Sequence, residues 1–176
     1  MEVLETKQEL NLWRANQRKQ VGFFPTMGAL HSGHTAGMKA IKDRGMTCVT
    51  SIFVNPTQFG PGEDFAKYPR TLEADLTAAR EIGVDAVWVP KAEEMYPQGF
   101  STGIEETIFS SGLCGDFRPG HFKGVATVVV KLLQNVRPQT LVLGMKDAQQ
   151  FFVLKKVCHD LDLPVEVKAL PTQRES

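Results

Sequence analysis

Short runs of β-branched and aromatic residues alternate along the chain with stretches whose apolar positions recur every three or four residues. The first pattern is that of buried strands and the second that of amphipathic helices packed on them. Strands are predicted over residues 21–24, 47–54, 86–89, 141–143 and 165–170, each ended by Gly, Pro or polar residues. Helices are predicted over residues 5–18, 33–43, 72–82, 124–135 and 148–161. In the last of these, Phe151, Leu154, Val157, Cys158 and Leu161 fall on one helical face. The alternation predicts the α/β class: a parallel sheet of about five strands flanked by helices. Residues 90–124 follow neither period and carry many Gly, Ser and Pro residues. An irregular segment of that length inside a compact domain usually borders a functional site.

Composition narrows the class of partner. A chain of 176 residues with 42% hydrophobic content fits one domain with a sizeable core. Twenty Lys plus Arg balance twenty Asp plus Glu, so no overall field recruits nucleic acid or an anionic membrane. A small-molecule ligand is the expectation. Cys48, Cys114 and Cys158 are widely separated, without metal-type spacing, and nothing at the N-terminus resembles a signal peptide. These features predict buried thiols in a reducing cytoplasm. The run Val125-Ala126-Thr127-Val128-Val129-Val130 ends at Lys131, well short of the roughly 20 residues that span a bilayer.

The most informative stretch is Pro25-Thr26-Met27-Gly28-Ala29-Leu30-His31-Ser32-Gly33-His34, which follows the first predicted strand and opens the first crossover helix. An open α/β sheet binds its ligand at such a junction. Gly28 and Gly33 allow close approach of backbone, and free N–H groups at the helix start favour an anion. His31 and His34, three apart, can face the same side of the first turn and donate to phosphate oxygens. The stretch is neither a G-x-G-x-x-G fingerprint nor a Walker A loop. A second junction, Ser51-Ile52-Phe53-Val54-Asn55-Pro56-Thr57-Gln58-Phe59-Gly60, places the Asn55 and Gln58 amides on the same sheet edge, where Asn55-Pro56 also reads as a turn. Arg118, His121 and Lys123 precede a predicted helix and can gather positive charge for a carboxylate or phosphate, although such clusters are also ordinary solvated loops. A third junction is Gly144-Met145-Lys146-Asp147-Ala148-Gln149-Gln150. Lys146 there can reach phosphates or ribose, Asp147 is placed as an N-cap, and Gln150 can point back to the same cleft.

The HxGH stretch resembles the signature of nucleotidylyl transferases and class I aminoacyl-tRNA synthetases, which implies a Rossmann-like fold and chemistry at a nucleotide's α-phosphate. The full set resembles the pantothenate synthetase family more closely: PTMGALHxGH, SIFVNPxQF, YPRT, RPGHFxGV and GxKDxQQ, in that order, from Val21 to about Arg174. The resemblance implies an ATP-dependent, AMP-forming ligation of pantoate to β-alanine through a pantoyl adenylate, with Mg²⁺ as cofactor and no protein metal site. It implies ATP contacts at Met27, Gly28, Ala29, Leu30, His31, Ser32, Gly33, His34, Gly144, Met145, Lys146, Asp147 and Gln173. It further implies catalytic roles for His34, His31 and Lys146, pantoate contacts from Gln58 and Gln150, and β-alanine contacts from Gln58 and Asn55. A homodimer is implied as well.

Two departures stand against that pattern. Met145 replaces the usual Glu or Lys, and Ala148 the usual aromatic residue. The family continues into an SSRN segment and a small C-terminal lid domain, whereas this sequence closes on Pro171-Thr172-Gln173-Arg174-Glu175-Ser176. The expectation is a single ATP- and pantoate-binding domain without the lid, with little turnover alone. A cytidylyl- or adenylyl-type nucleotidyltransferase and a non-catalytic ATP-binding or dimerising domain are the competing readings.

Overall fold

The computed structural model describes residues 1–60, 62–63 and 65–171. Its strands are β1 Glu2–Leu4, β2 Val21–Thr26, β3 Thr47–Ile52, β4 Ala86–Trp88, β5 Thr140–Gly144 and β6 Glu166–Leu170. Its helices are α1 Lys7–Ala15, α2 Ser32–Lys42, α3 Leu72–Ile82, the one-turn α4 Ala92–Met95 and α5 Cys114–Phe117, then α6 His121–Val136 and α7 Ala148–Asp160. All strand pairs are parallel, in the order β1-β4-β3-β2-β5-β6. The sheet thus has six strands among the described residues, one more than expected. The extra one, β1, is a three-residue edge strand too short to show a period.

Both faces of the sheet are covered, and alternation along each strand divides the core in two. Phe23, Val49, Trp88 and Leu141 point to the side packed by Leu10 and Trp13 of α1, Val125 and Leu132 of α6 and Leu154 of α7. Phe24, Cys48, Val87 and Val142 point to the other side, against Met38 and Ile41 of α2 and Leu76 and Ala79 of α3. Burial on both faces explains why these strands read as nearly unbroken apolar runs. Pro25 lies in central strand β2 without losing a ladder bond to β5, because β5 pairs only with Gly22 and Phe23.

Local chemistry sets the helix ends. In α1, Thr6 accepts from Glu9 N and the Glu9 carboxylate accepts from Thr6 N, a capping box that starts the helix two residues later than expected. Gly83 ends α3 in the left-handed conformation at φ 81°. Helix α6 begins at His121, after Gly120 at φ 82°, three residues before the expected start. Of the thiols, Cys48 and Cys158 are buried but Cys114 is exposed, correcting the expectation that all three are buried. Burial pushes Cys48 up to about 12, helped by Asp85, and Cys158 up to about 11.

The chain runs β2, β3, β4 towards one edge and β5, β6 towards the other. The direction reverses between β2 and β5, so a crevice opens beyond their C-terminal ends. No described helix is long and apolar enough to cross a membrane.

Candidate active site

Three loops meet at that crevice: the histidine loop after β2, the Pro56–Gln58 turn after β3, and the Met145–Asp147 turn after β5. The histidine loop leaves Thr26, whose hydroxyl accepts from Gly28 N at 2.7 Å. It then passes through two left-handed residues, Gly28 at φ 89° and Ala29 at φ 51°. The second is uncommon for a residue with a Cβ and needs outside support. Asp75 of α3, 3% exposed, supplies it. Its Oδ2 accepts from Ala29 N at 3.0 Å and its Oδ1 from Leu30 N at 2.7 Å.

Helix α2 then starts with a histidine capping box. His31 Nδ1 accepts from Gly33 N at 3.1 Å, and His34 Nδ1 accepts from His31 N at 3.3 Å. Histidines here do what Ser and Glu do in the common box. A ring nitrogen that accepts carries no proton, so each neutral imidazole holds its hydrogen on Nε2. The rings lie 4.0 Å apart. Burial pushes His34 down to about 4, His31 and Lys146 push the same way, and Asp75 opposes them. At neutral pH His34 is therefore a neutral N–H donor. Lys146 is exposed and its charge reaches His34 from the other side of the crevice.

This arrangement narrows the expectation of free backbone N–H groups for an anion to one, that of Ser32. Ala29 and Leu30 give theirs to Asp75, His31 and Gly33 to the two imidazoles, and His34 and Thr35 to His31 O. The donors left at the helix start are the Ser32 N–H, which meets no acceptor among the described residues, and the imidazole N–H groups.

At the second loop, Asn55 is 1% exposed and fully engaged. Its oxygen accepts from Thr57 N and from the Tyr96 hydroxyl at 2.7 Å; its amide donates to Gln58 Oε1 at 3.1 Å and Gly124 O at 3.2 Å. Asn55 thus shapes the turn that aims Gln58. The Gln58 amide, turned by Asn55, donates to Met27 Sδ at 3.0 Å, which ties this loop to the histidine loop. A thioether is a weak acceptor, so that amide is ready to exchange it for a better one.

Of the two readings of Arg118, His121 and Lys123, the structure does not assemble the cationic cluster. Arg118 pairs with Glu63 and donates to His121 Nε2 at 3.1 Å, while the buried His121 donates from Nδ1 to Gln58 O at 2.9 Å. Lys123 faces Glu105 at 3.9 Å. Arg118 and His121 instead brace the backbone of Gln58.

In the third loop, Asp147 caps α7 by accepting from Gln150 N at 3.1 Å. The half-buried Gln150 side chain makes no hydrogen bond among the described residues. Its neighbour Gln149, overlooked in the sequence, donates to Phe109 O and Gly112 O at 3.0 and 2.8 Å and accepts from Cys114 N. The adjacent glutamines thus divide the work: one clamps the irregular segment and the other is free. Asp75 was also overlooked, although its position on the Leu72, Leu76, Ala79 stripe puts a charge where an apolar residue belongs. Gln173 lies outside the described residues.

Residues 2–176 match the family model described as pantoate-beta-alanine ligase. The chain is 49% identical to the pantothenate synthetase of Thermosipho africanus, over 99% of this chain and 63% of that protein. It is 51% identical to that of Carboxydothermus hydrogenoformans, over 94% of this chain and 60% of that protein. The solved pantothenate synthetase of Thermus thermophilus superposes with a TM-score of 0.94 at 47% identity, over 99% of this chain and 63% of that one. The Francisella tularensis ligase, solved with beta-gamma ATP and beta-alanine, superposes at 0.95 and 37% identity, over 99% of this chain and 68% of that one. This chain spans about three fifths of the length of the relatives it matches.

Proposed function

This chain belongs to the pantoate-beta-alanine ligase family, and we propose that it forms the ATP- and pantoate-binding domain of an AMP-forming ligase that makes pantothenate. The observation that carries the proposal is the convergence of the histidine loop, Gln58 and the Met145–Asp147 turn at the reversal of strand order. In this reading the nucleotide lies across β2 and β5, with its phosphates under His31, His34 and Lys146 and its adenosine along Gly144 and Asp147. Pantoate is held by Gln58 and Gln150. Its carboxylate oxygen attacks the α-phosphorus, the bond to the β-phosphate breaks, and pyrophosphate leaves. The amine of β-alanine, received near Asn55 and Gln58, then attacks the acyl carbon and AMP departs.

The residues' contribution is alignment and charge stabilisation. A neutral Nε2–H on His34 donates to a phosphate oxygen, and Lys146 adds the positive charge that this imidazole lacks. Mg²⁺ would travel on the triphosphate, supplying further charge neutralisation there. Among the described residues no group of three His, Cys, Asp or Glu side chains could hold a metal, and both Asp75 oxygens already accept backbone N–H groups. A homodimer and a cytoplasmic location belong to the same proposal.

Titration calorimetry of Gln58→Ala with each substrate tests it. Loss of one buried amide leaves the hydroxy acid's polar groups unpaired, so pantoate affinity falls about 10-fold or more while ATP affinity holds. Equal losses for both ligands, or no ATP binding by the unaltered chain, would refute the assignment.

A further inference from the structure

We propose that Asp75 is a positioning residue for the nucleotide site: its carboxylate holds the histidine loop in the one shape that turns both imidazole Nε2–H groups towards the phosphates. The proposal rests on the functional reading above for the identity of the ligand, but its geometry stands by itself. Asp75 is almost wholly buried, on α3, far along the chain from the loop it holds. A buried carboxylate is retained only when its oxygens are satisfied. Here they accept from Ala29 N at 3.0 Å and Leu30 N at 2.7 Å, and the Thr71 hydroxyl donates to both at 3.3 Å.

Those two N–H groups flank the left-handed Ala29, the residue whose backbone is least stable without a tether. The loop also lies close against the carboxylate: a Cβ on Gly28 would come within 2.9 Å of Asp75 Oδ2 and 3.1 Å of Ile52. Two residues further on, His31 accepts at Nδ1 only because the chain arrives at the helix in an extended conformation, at φ −132°. Releasing Leu30 therefore releases the cap, and with the cap goes the constraint on which imidazole nitrogen carries the proton. The negative charge of Asp75 also works on His34 directly, opposing the effect of burial.

Asp75→Asn tests this. The amide keeps the size of the side chain but presents N–H to one of the two backbone donors, so one anchor must open. Histidine ring tautomers are read by long-range proton–nitrogen correlation spectra at neutral pH. The parent chain shows His31 and His34 as Nε2–H forms; Asp75→Asn shows mixed tautomers, and ATP affinity falls about tenfold through misdirected donors. Thr71→Val, which removes one donor to the carboxylate but keeps both anchors, shows a smaller change in the same direction. A folded Asp75→Asn protein with both rings still in the Nε2–H form and ATP affinity unchanged overturns the proposal. So does an unfolded Asp75→Asn beside a Thr71→Val spectrum identical to the parent, because Asp75 is then only a determinant of folding. If the parent binds no ATP but the tautomers respond as described, the functional reading fails and the positioning role stands.

Discussion

Helix α6 touches the Pro56–Gln58 turn so closely that a single methyl group added at Gly124 would force the two apart. A Cβ on Gly124 would lie 2.4 Å from Thr57 O, 2.6 Å from Thr57 C and 2.8 Å from Gln58 Cα. All three are backbone atoms, so no side chain can rotate away, and helix and turn must separate by about 1 Å to reach ordinary contact. Overpacking of this kind costs about 1–3 kcal/mol. The better helix propensity of Ala over Gly returns about 1 kcal/mol. The net loss of stability for Gly124→Ala is then about 0–2 kcal/mol, a fall in Tm of at most about 8 °C. Binding is the sharper readout. The separation stretches the Asn55 bond to Gly124 O and the His121 bond to Gln58 O, which together aim Gln58. Misplacement by about 1 Å can cost on the order of 100-fold. Calorimetry on the folded variant should show pantoate affinity reduced at least about 10-fold and ATP affinity within about threefold of the parent. A variant with both the parent's Tm and the parent's pantoate affinity would refute the argument that this contact sets the pocket.

The remaining predictions concern pH and the irregular segment. Because His34 is pushed down to about 4 when folded and titrates near 6.5 when unfolded, the unfolded chain binds the extra proton first. The stability that His34 retains above pH 6.5 is lost progressively as pH falls towards 4. His34→Gln should flatten the dependence of Tm on pH in that window, and an unchanged slope would show that His34 is not shifted. Gln149→Ala removes the clamp on Phe109 O, Gly112 O and Cys114 N. Amide exchange at Cys114 should quicken markedly, with Tm changed by no more than a few degrees; protection equal to the parent's would mean that other contacts hold the segment. The Gln58→Ala and Asp75→Asn experiments complete the set, one reading ligand selectivity and the other the state of the histidine rings.

What could be read from the sequence is what depends on neighbours along the chain. Strand and helix periods placed β2 to β6 and the long helices to within a few residues, because each segment's apolar spacing is a local property. The junction loops were legible for the same reason, since a Gly- and His-rich stretch after a strand marks the end of a sheet where ligands bind. Asp147 as a cap followed from its position alone, as the structure bears out. Edge strand β1 was missed because three residues show no period, and α6 begins early because its start depends on a left-handed Gly120.

The tertiary structure decided which groups remain available to a ligand. Hydrogen bonds over long sequence separations consumed groups that looked free: Asp75 takes the Ala29 and Leu30 N–H groups, Glu63 occupies Arg118, and Tyr96 and Gly124 saturate Asn55. The same accounting left Gln58 facing only a weak sulfur acceptor. The order of strands, and with it the crevice between β2 and β5, is likewise a matter of which distant segments pair. A sequence states which donors and acceptors a protein owns, but buried polar groups must find partners wherever the fold brings them. Only the folded chain shows which ones are left over for chemistry.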